Sequence, residues 1–126
     1  DDRNIMPSSN EITELRVWNA KHNRQAWDMY LGSNQNGEVS PYAAPARAMD
    51  LRGLPPTYTF VGDLDPFCDD TIDFVRRLRQ AGVSTEFHLY PGCFHGFEQI
   101  VPTANVSKRA KEQYIQALKL ALQKTE

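Results

Sequence analysis

The sequence is short of cysteine, of long apolar runs and of charge clustered in one sign. Two cysteines, Cys68 and Cys93, occur in 126 residues, and neither sits in a C-x-x-C pair. A disulfide scaffold is therefore excluded, and reduced thiols in a reducing, cytoplasmic setting are expected, with a 68–93 bridge the one disulfide the sequence allows. No run of about 18 apolar residues exists, which excludes a membrane-spanning helix. The start, Asp1-Asp2-Arg3-Asn4, lacks the basic and apolar regions of a signal peptide. The 14 Lys and Arg stand against 16 Asp and Glu for a formal net charge of -2. No basic block is present to neutralise phosphates, so nothing points to nucleic acid as a partner. Repeats and low-complexity tracts are absent too.

What the chain does have is material for a core. It is 40% hydrophobic and 10% aromatic, and a chain of this length can bury roughly two-thirds of its unfolded surface without disulfide staples. Residues 1–56 are weakly patterned. Their best helical piece lies around Arg24 to Leu31, where Trp27, Tyr30 and Leu31 fall at i, i+3 and i+4. Gly32 to Gly37 is turn chemistry. Ser40 to Pro45 and Leu51 to Pro56 read as an extended, Pro-stiffened path rather than a regular element.

From Thr57 the pattern sharpens. Thr57-Tyr58-Thr59-Phe60-Val61 is β-branched and aromatic, uncharged, and ends at Gly62, which predicts a strand buried on both faces. Ile72, Phe74, Val75, Leu78 and Ala81 recur at helical spacing over Asp69 to Ala81. Aspartates at the start of this helix and arginines near its end complement its dipole, and Gly82 stops it. Thr85 to Tyr90 alternates with period two and predicts a half-exposed strand near a sheet edge. Strand, helix and strand in 34 residues form a βαβ unit, so the strands are expected to be parallel. Val106, Ala110, Tyr114, Ala117, Leu118 and Ala121 mark a last amphipathic helix from about Asn105 to Gln123, its apolar face turned to the sheet.

In parallel sheets, reactive groups gather in the loops beyond the carboxyl ends of the strands. Two loops qualify, one from Gly62 to Phe67 and one from Pro91 to Phe97. If their strands are neighbours about 4.8 Å apart, a carboxylate of the first and the imidazole of His95 in the second can meet. A carboxylate on one ring nitrogen fixes the tautomer and stabilises the imidazolium formed when the other nitrogen takes a nucleophile's proton. Asp63 and Asp65 are both candidates, and Asp65 is favoured because Pro66 stiffens the turn that follows it. Taken singly, each residue reads more blandly, His95 as a loop histidine bonded to backbone and Asp65 as a turn residue; only the pairing raises them. His22 and His88 read as structural or exposed. The acids at 63, 65, 69, 70 and 73 lack the glycine and terminal glutamate of a calcium loop. Cys68, Cys93 and His95 lack a fourth zinc ligand at a known spacing. Cys93 is a poor nucleophile, since it shares the loop of the presumed base.

A triad also needs a serine on a strained strand-to-helix turn, written G-x-S-x-G. None of the 6 serines, at 8, 9, 33, 40, 84 and 107, stands in that setting. An H-G-G-G donor loop is absent as well, since His95-Gly96 is followed by Phe97.

The ordered motifs Ser40-Pro41-Tyr42-Ala43-Ala44-Pro45, Leu51-Arg52-Gly53-Leu54-Pro55-Pro56, Gly62-Asp63-Leu64-Asp65-Pro66, Ala81-Gly82-Val83, Tyr90-Pro91-Gly92 and His95-Gly96-Phe97 together resemble the C-terminal part of an α/β-hydrolase of the hormone-sensitive-lipase-like esterase family. The resemblance covers nearly the whole chain. It implies a partial α/β-hydrolase domain over residues 1–126, with 1–56 as pocket wall and approach and 57–126 as a strand-helix-strand-helix unit. It makes Asp65 the orienting acid and His95 the general base of a carboxylic ester hydrolase acting on small esters, with no metal or organic cofactor. The family's G-D-S-A-G-G elbow and H-G-G-G loop are expected upstream of Asp1. The chain alone is then expected to be inactive, and to self-associate or to pair with the segment bearing those motifs. The alternative is a non-catalytic binding or assembly module using the open edge of the Thr57 strand.

Overall fold

The computed structural model describes residues 1–14, 17–32 and 38–123. In chain order the elements are α1 (Ser8–Glu11), α2 (Ala20–Leu31), a 3-10 turn (Pro45–Arg47), β1 (Thr57–Gly62), α3 (Cys68–Gln80), β2 (Thr85–Tyr90), α4 (Phe97–Ile100) and α5 (Asn105–Gln123). Among the described residues the sheet is a parallel pair, β1 with β2, in a register that sets Thr57 beside Thr85 and Gly62 beside Tyr90. This is the expected βαβ unit followed by a helix.

The end of α3 fixes where β2 begins. Gly82 takes φ 80°, its N–H reaches the carbonyl of Arg79 at 3.1 Å, and the N–H of Val83 reaches that of Leu78 at 3.0 Å. These two bonds form the motif that closes a helix through a left-handed glycine. The accompanying apolar contact is present too, because Leu78 and Val83 share a buried cluster with Leu51. The second core lies on the other helix. Phe60 and Tyr90, on one face of the sheet, pack with Phe97 and Ala110, and the Phe60 ring stacks on Tyr114 of α5 at 5.8 Å and 9°.

Residues 1–56 wrap this unit through polar clamps that hydrophobic periodicity does not report. Ser8 and Asp69 cap each other's helices. The Ser8 N–H donates to Asp69 Oδ2 at 2.8 Å, and the Asp69 N–H donates to Ser8 Oγ at 3.0 Å. Asp2 accepts a two-pronged bond from Arg47, 2.8 Å at each oxygen, which holds its carboxyl below the usual range. Arg77 of α3 donates to the carbonyls of Ala46 and Ala48.

Four expectations need correction. The β1 strand is not buried on both faces: Thr57 to Phe60 are half-buried and only Val61 and Gly62 are buried, because among the described residues β1 has a neighbour on one side only. Helix α2 starts at Ala20, four residues early. It buries Ala20 and Asn23 while Tyr30 lies exposed, because the cap at Asn19 sets its face rather than the aromatic spacing. On α5 the buried face stops after Ala110, Leu118 being 60% exposed, since the two-stranded sheet is too narrow to cover the last turns. Pro45–Arg47 forms a 3-10 turn where an extended path was expected. Of the Gly32–Gly37 turn, residues 33–37 lie outside the described residues; Gly32 itself ends α2 at φ 58°.

Gly62 is the tightest point of the fold. A Cβ there would lie 2.0 Å from the carbonyl oxygen of Cys93 and 2.5 Å from its carbon, which is backbone and cannot swing away. Gly62→Ala is expected to cost about 3 kcal/mol in urea unfolding, whereas Gly92→Ala, which meets nothing within 4 Å, is expected to cost less despite its positive φ. Equal stabilities would show that the approach of the two loops is not what makes position 62 glycine.

Candidate active site

The site grows directly from the parallel register. Beyond Gly62 and Tyr90 the two loops are bonded to each other before either presents a side chain. The Asp63 N–H donates to the Tyr90 carbonyl at 3.1 Å and the Leu64 N–H to the Cys93 carbonyl at 3.0 Å. The Asp63 carboxylate accepts from the Gly92 N–H at 2.7 Å. Asp63, one of the two candidate acids, is thus a staple between the loops.

Asp65 turns the other way. Its N–H bonds the Gly62 carbonyl at 3.2 Å, and its own carbonyl receives the Cys68 N–H at 2.9 Å as α3 begins. One carboxylate oxygen accepts from the Phe67 N–H at 2.9 Å, a side-chain turn that locks the rotamer. The other lies 2.9 Å from His95 Nδ1. Asp65 is 5% exposed, so its charge needs these partners: a buried carboxylate without them is costly. His95 is held by the turn that closes with Phe97 N–H on the Phe94 carbonyl at 3.1 Å, followed by Gly96 at φ 71°, a conformation that favours glycine.

With Nδ1 donating to a carboxylate, the neutral ring carries its proton there and leaves Nε2 as the basic nitrogen. Among the described residues, Nε2 has no protein hydrogen bond, and the His95 side chain is 40% exposed. The ring borders a cleft of about 190 Å³ lined by Phe60, Gly62, Asp65, Phe94 and Phe97. Of the three phenylalanines near the loops, Phe97 is core at 4% exposure, Phe94 packs against that core, and Phe67 meets His95 edge-to-face, with centroids 5.3 Å apart. The hydrogen bond that His95 donates to Asp65 raises the His95 pKa above the ordinary value, partly opposed by burial and helped by the charges of Asp65 and Glu98.

The remaining candidates of the sequence lie elsewhere. His88 bonds Glu86 within β2 at 2.8 Å. His22 sits on α2 against Trp18. Both cysteines are free and buried, and burial pushes each thiol's pKa upward, away from nucleophilic use. Among the described serines, the hydroxyls of Ser8, Ser9 and Ser107 are engaged by the Pro66, Met6 and Phe97 carbonyls. No serine is bonded to His95 among the described residues. Sequence reasoning missed Trp18, whose ring centroid lies 6.2 Å from that of His95. The only signal for it was the Asn19-Ala20 helix start, hidden in a stretch with no apolar period.

The raised pKa has a definite sign. His95 gains its partner in the folded state, so the added stability is complete below about pH 6.5, the value of an unpaired histidine. It is lost as pH rises through the folded value. In an NMR titration the His95 midpoint is expected above 6.5 and should fall on Asp65→Asn. A midpoint unaffected by Asp65→Asn would mean that the carboxylate does not govern the ring.

Residues 2–99 match the family model described as alpha/beta hydrolase fold. Hormone-sensitive lipase of Mus musculus is 32% identical over 85 residues, which is 66% of this chain and 11% of the lipase. Arylacetamide deacetylase of Bos taurus is 37% identical over 87 residues, 68% of this chain and 22% of the deacetylase. Among solved structures, a bacterial heroin esterase superposes with a TM-score of 0.93 at 41% identity, over 98% of this chain and 40% of its own. The chain therefore spans well under half the length of each of these proteins. With a family match over 2–99, esterase and lipase relatives, and an acid and an imidazole joined across two parallel strand ends, the chain belongs to the α/β-hydrolase family.

Proposed function

We propose that this chain is the acid-and-base segment of a serine carboxylic ester hydrolase, with Asp65 as orienting acid and His95 as general base. The reading rests on one observation, the 2.9 Å contact of Nδ1 with a buried carboxylate. The lipase and the esterase among the relatives named above support ester chemistry. Residues 1–56 are assigned to the pocket wall and approach, and residues 57–126 to the catalytic βαβα unit, as the C-terminal part of one domain.

The chemistry divides between this chain and a serine that the sequence does not supply in a G-x-S-x-G setting. The serine hydroxyl gives its proton to Nε2 of His95 as its oxygen attacks the ester carbonyl, and the imidazolium is stabilised by Asp65. The tetrahedral species collapses by expelling the alcohol, which takes the proton back from His95 and leaves an acyl-enzyme. Water then repeats the cycle: it loses a proton to Nε2 as it attacks, and the serine regains that proton as the acid leaves. Small-molecule esters are the substrate class. Two free thiols fit a reducing compartment such as the cytoplasm, and among the described residues no helix is long and apolar enough to cross a membrane.

A second reading draws on a different observation. Among the described residues β1 pairs on one edge only, and Ile115, Leu118 and Leu120 on α5 are exposed. An open edge beside uncovered apolar side chains recruits another chain. In the hydrolase reading that chain is the segment carrying the serine. In the assembly reading it is a second copy, and no catalysis follows.

One experiment separates the two. The chain alone is expected to be inert toward a short-chain aryl ester. A chimera in which it replaces the matching 40% of the bacterial heroin esterase is expected to turn that ester over. His95→Gln or Asp65→Asn in the chimera should lower kcat by about 10³- to 10⁴-fold with little change in KM. A folded but inert chimera would favour the assembly module, and turnover that survives His95→Gln would remove His95 from the mechanism.

A further inference from the structure

Trp18 is brought to the site by the way α2 begins. Asn19 is the cap of that helix: its side chain accepts from the His22 N–H at 3.0 Å and donates to the Glu14 carbonyl at 3.2 Å, and the residue is 2% exposed. The next N–H, of Ala20, bonds the Ile12 carbonyl at 2.8 Å. With position 19 fixed at both ends, the residue before it must lie over the first helical turn, as hydrophobic residues preceding a cap commonly do. The Trp18 ring accordingly sits 5.9 Å from that of His22.

The other neighbour of Trp18 is His95, at 6.2 Å and 41°. The imidazole is thus flanked by two aromatic rings from separate parts of the chain, Phe67 in an edge-to-face arrangement and Trp18 at a tilt. The indole N–H contributes nothing to this arrangement: Nε1 is buried with no hydrogen-bond partner among the described residues. A buried unpaired donor weakens a fold, and a phenyl ring would fill much of the space without one. What tryptophan adds is the largest and most electron-rich ring face, which attracts a cation at about this separation and does little for a neutral ring.

We propose that Trp18 is a positioning residue for His95: its indole limits the tilt of the imidazole about the Asp65 hydrogen bond and favours the imidazolium over the neutral ring. The proposal rests on the reading of His95 as general base. The charged and titratable groups facing His95 are Asp65 on the β1–α3 turn, Glu98 on α4 and, across the indole, His22 on α2. Both carboxylates favour the imidazolium, and a protonated His22 opposes it.

The test reads His95 directly. With His22 replaced by Gln, the His95 ring proton is followed by NMR against pH in the protein and in two variants. Trp18→Leu keeps the ring covered but removes the π face, and the midpoint is expected to fall by about half a unit, a roughly threefold loss of proton affinity. Trp18→Phe is expected to fall by less. A midpoint unchanged or raised in Trp18→Leu overturns the proposal, and so does a fall in Trp18→Phe as large as that in Trp18→Leu. Should Trp18→Leu fail to fold, the contact is read without altering it. The sequence has 2 tryptophans, so Trp27→Phe leaves Trp18 as the sole tryptophan, excited selectively at the red edge of the absorption where tyrosine does not absorb. Its fluorescence is expected to drop as His95 becomes protonated, with the same midpoint, and to lose that step on His95→Gln; a flat profile overturns the proposal. Neither readout uses ester turnover, so a failure here is distinct from activity that survives His95→Gln.

Discussion

The structure depends on one juxtaposition: two adjacent strands running the same way, whose ends deliver a buried carboxylate and an imidazole into a single hydrogen bond. Parallel pairing is what makes this possible. In an antiparallel pair the segments after the two strands would leave from opposite ends of the sheet, and residues 65 and 95 would lie a strand length apart. Because α3 carries the chain back to the starting edge, both exits fall at the same end, in register from Thr57 and Thr85 to Gly62 and Tyr90. The chemistry therefore comes from topology, and any change that reverses or slips the pairing removes the site as a whole.

The loops are held more firmly than a single side-chain contact would require. Asp63, the Tyr90 carbonyl, the Gly92 N–H and the Cys93 carbonyl form a backbone-centred lattice that leaves little freedom to the residues between. Gly62 has no side chain because the Cys93 carbonyl occupies the place where one would start. On this frame Asp65 is dry and His95 is half open to the cleft, a contrast that suits the parts proposed for them. A carboxylate that orients a ring is strengthened by exclusion of water, whereas a ring that exchanges protons with a substrate must be reached from outside.

Much of the strand-helix-strand unit could be read from the sequence, because short-range rules govern it. The β-branched run before Gly62, the dipole-matched charges of α3, Gly82 as its stop and the alternation of Thr85 to Tyr90 each act within a few residues. Asp65 was favoured over Asp63 on Pro66, on the nearness of Asp63 to the strand and on the family resemblance, and in the structure the Asp63 carboxylate accepts from the Gly92 N–H. Residues 1–56 were less legible because their order comes from distant polar partners: Ser8 with Asp69, Asp2 with Arg47, and Arg77 with the 3-10 turn. None of these leaves a period in the sequence. Trp18 was missed for the same reason, since a cap at Asn19 places it and an imidazole 77 residues further along the chain receives it. The burial expected for β1 and for the last turns of α5 failed for another reason. Apolar pattern reports what a segment can cover, while exposure depends on how many strands lie beneath it.

The most direct measurement is the tautomer of His95. Above its titration midpoint, the ¹⁵N shifts of the ring are expected to show Nδ1 protonated and Nε2 bare, the form that a carboxylate on Nδ1 imposes and that a general base needs. A ring protonated at Nε2 under those conditions would contradict the account, because Asp65 would then not be orienting the nitrogen that takes the proton.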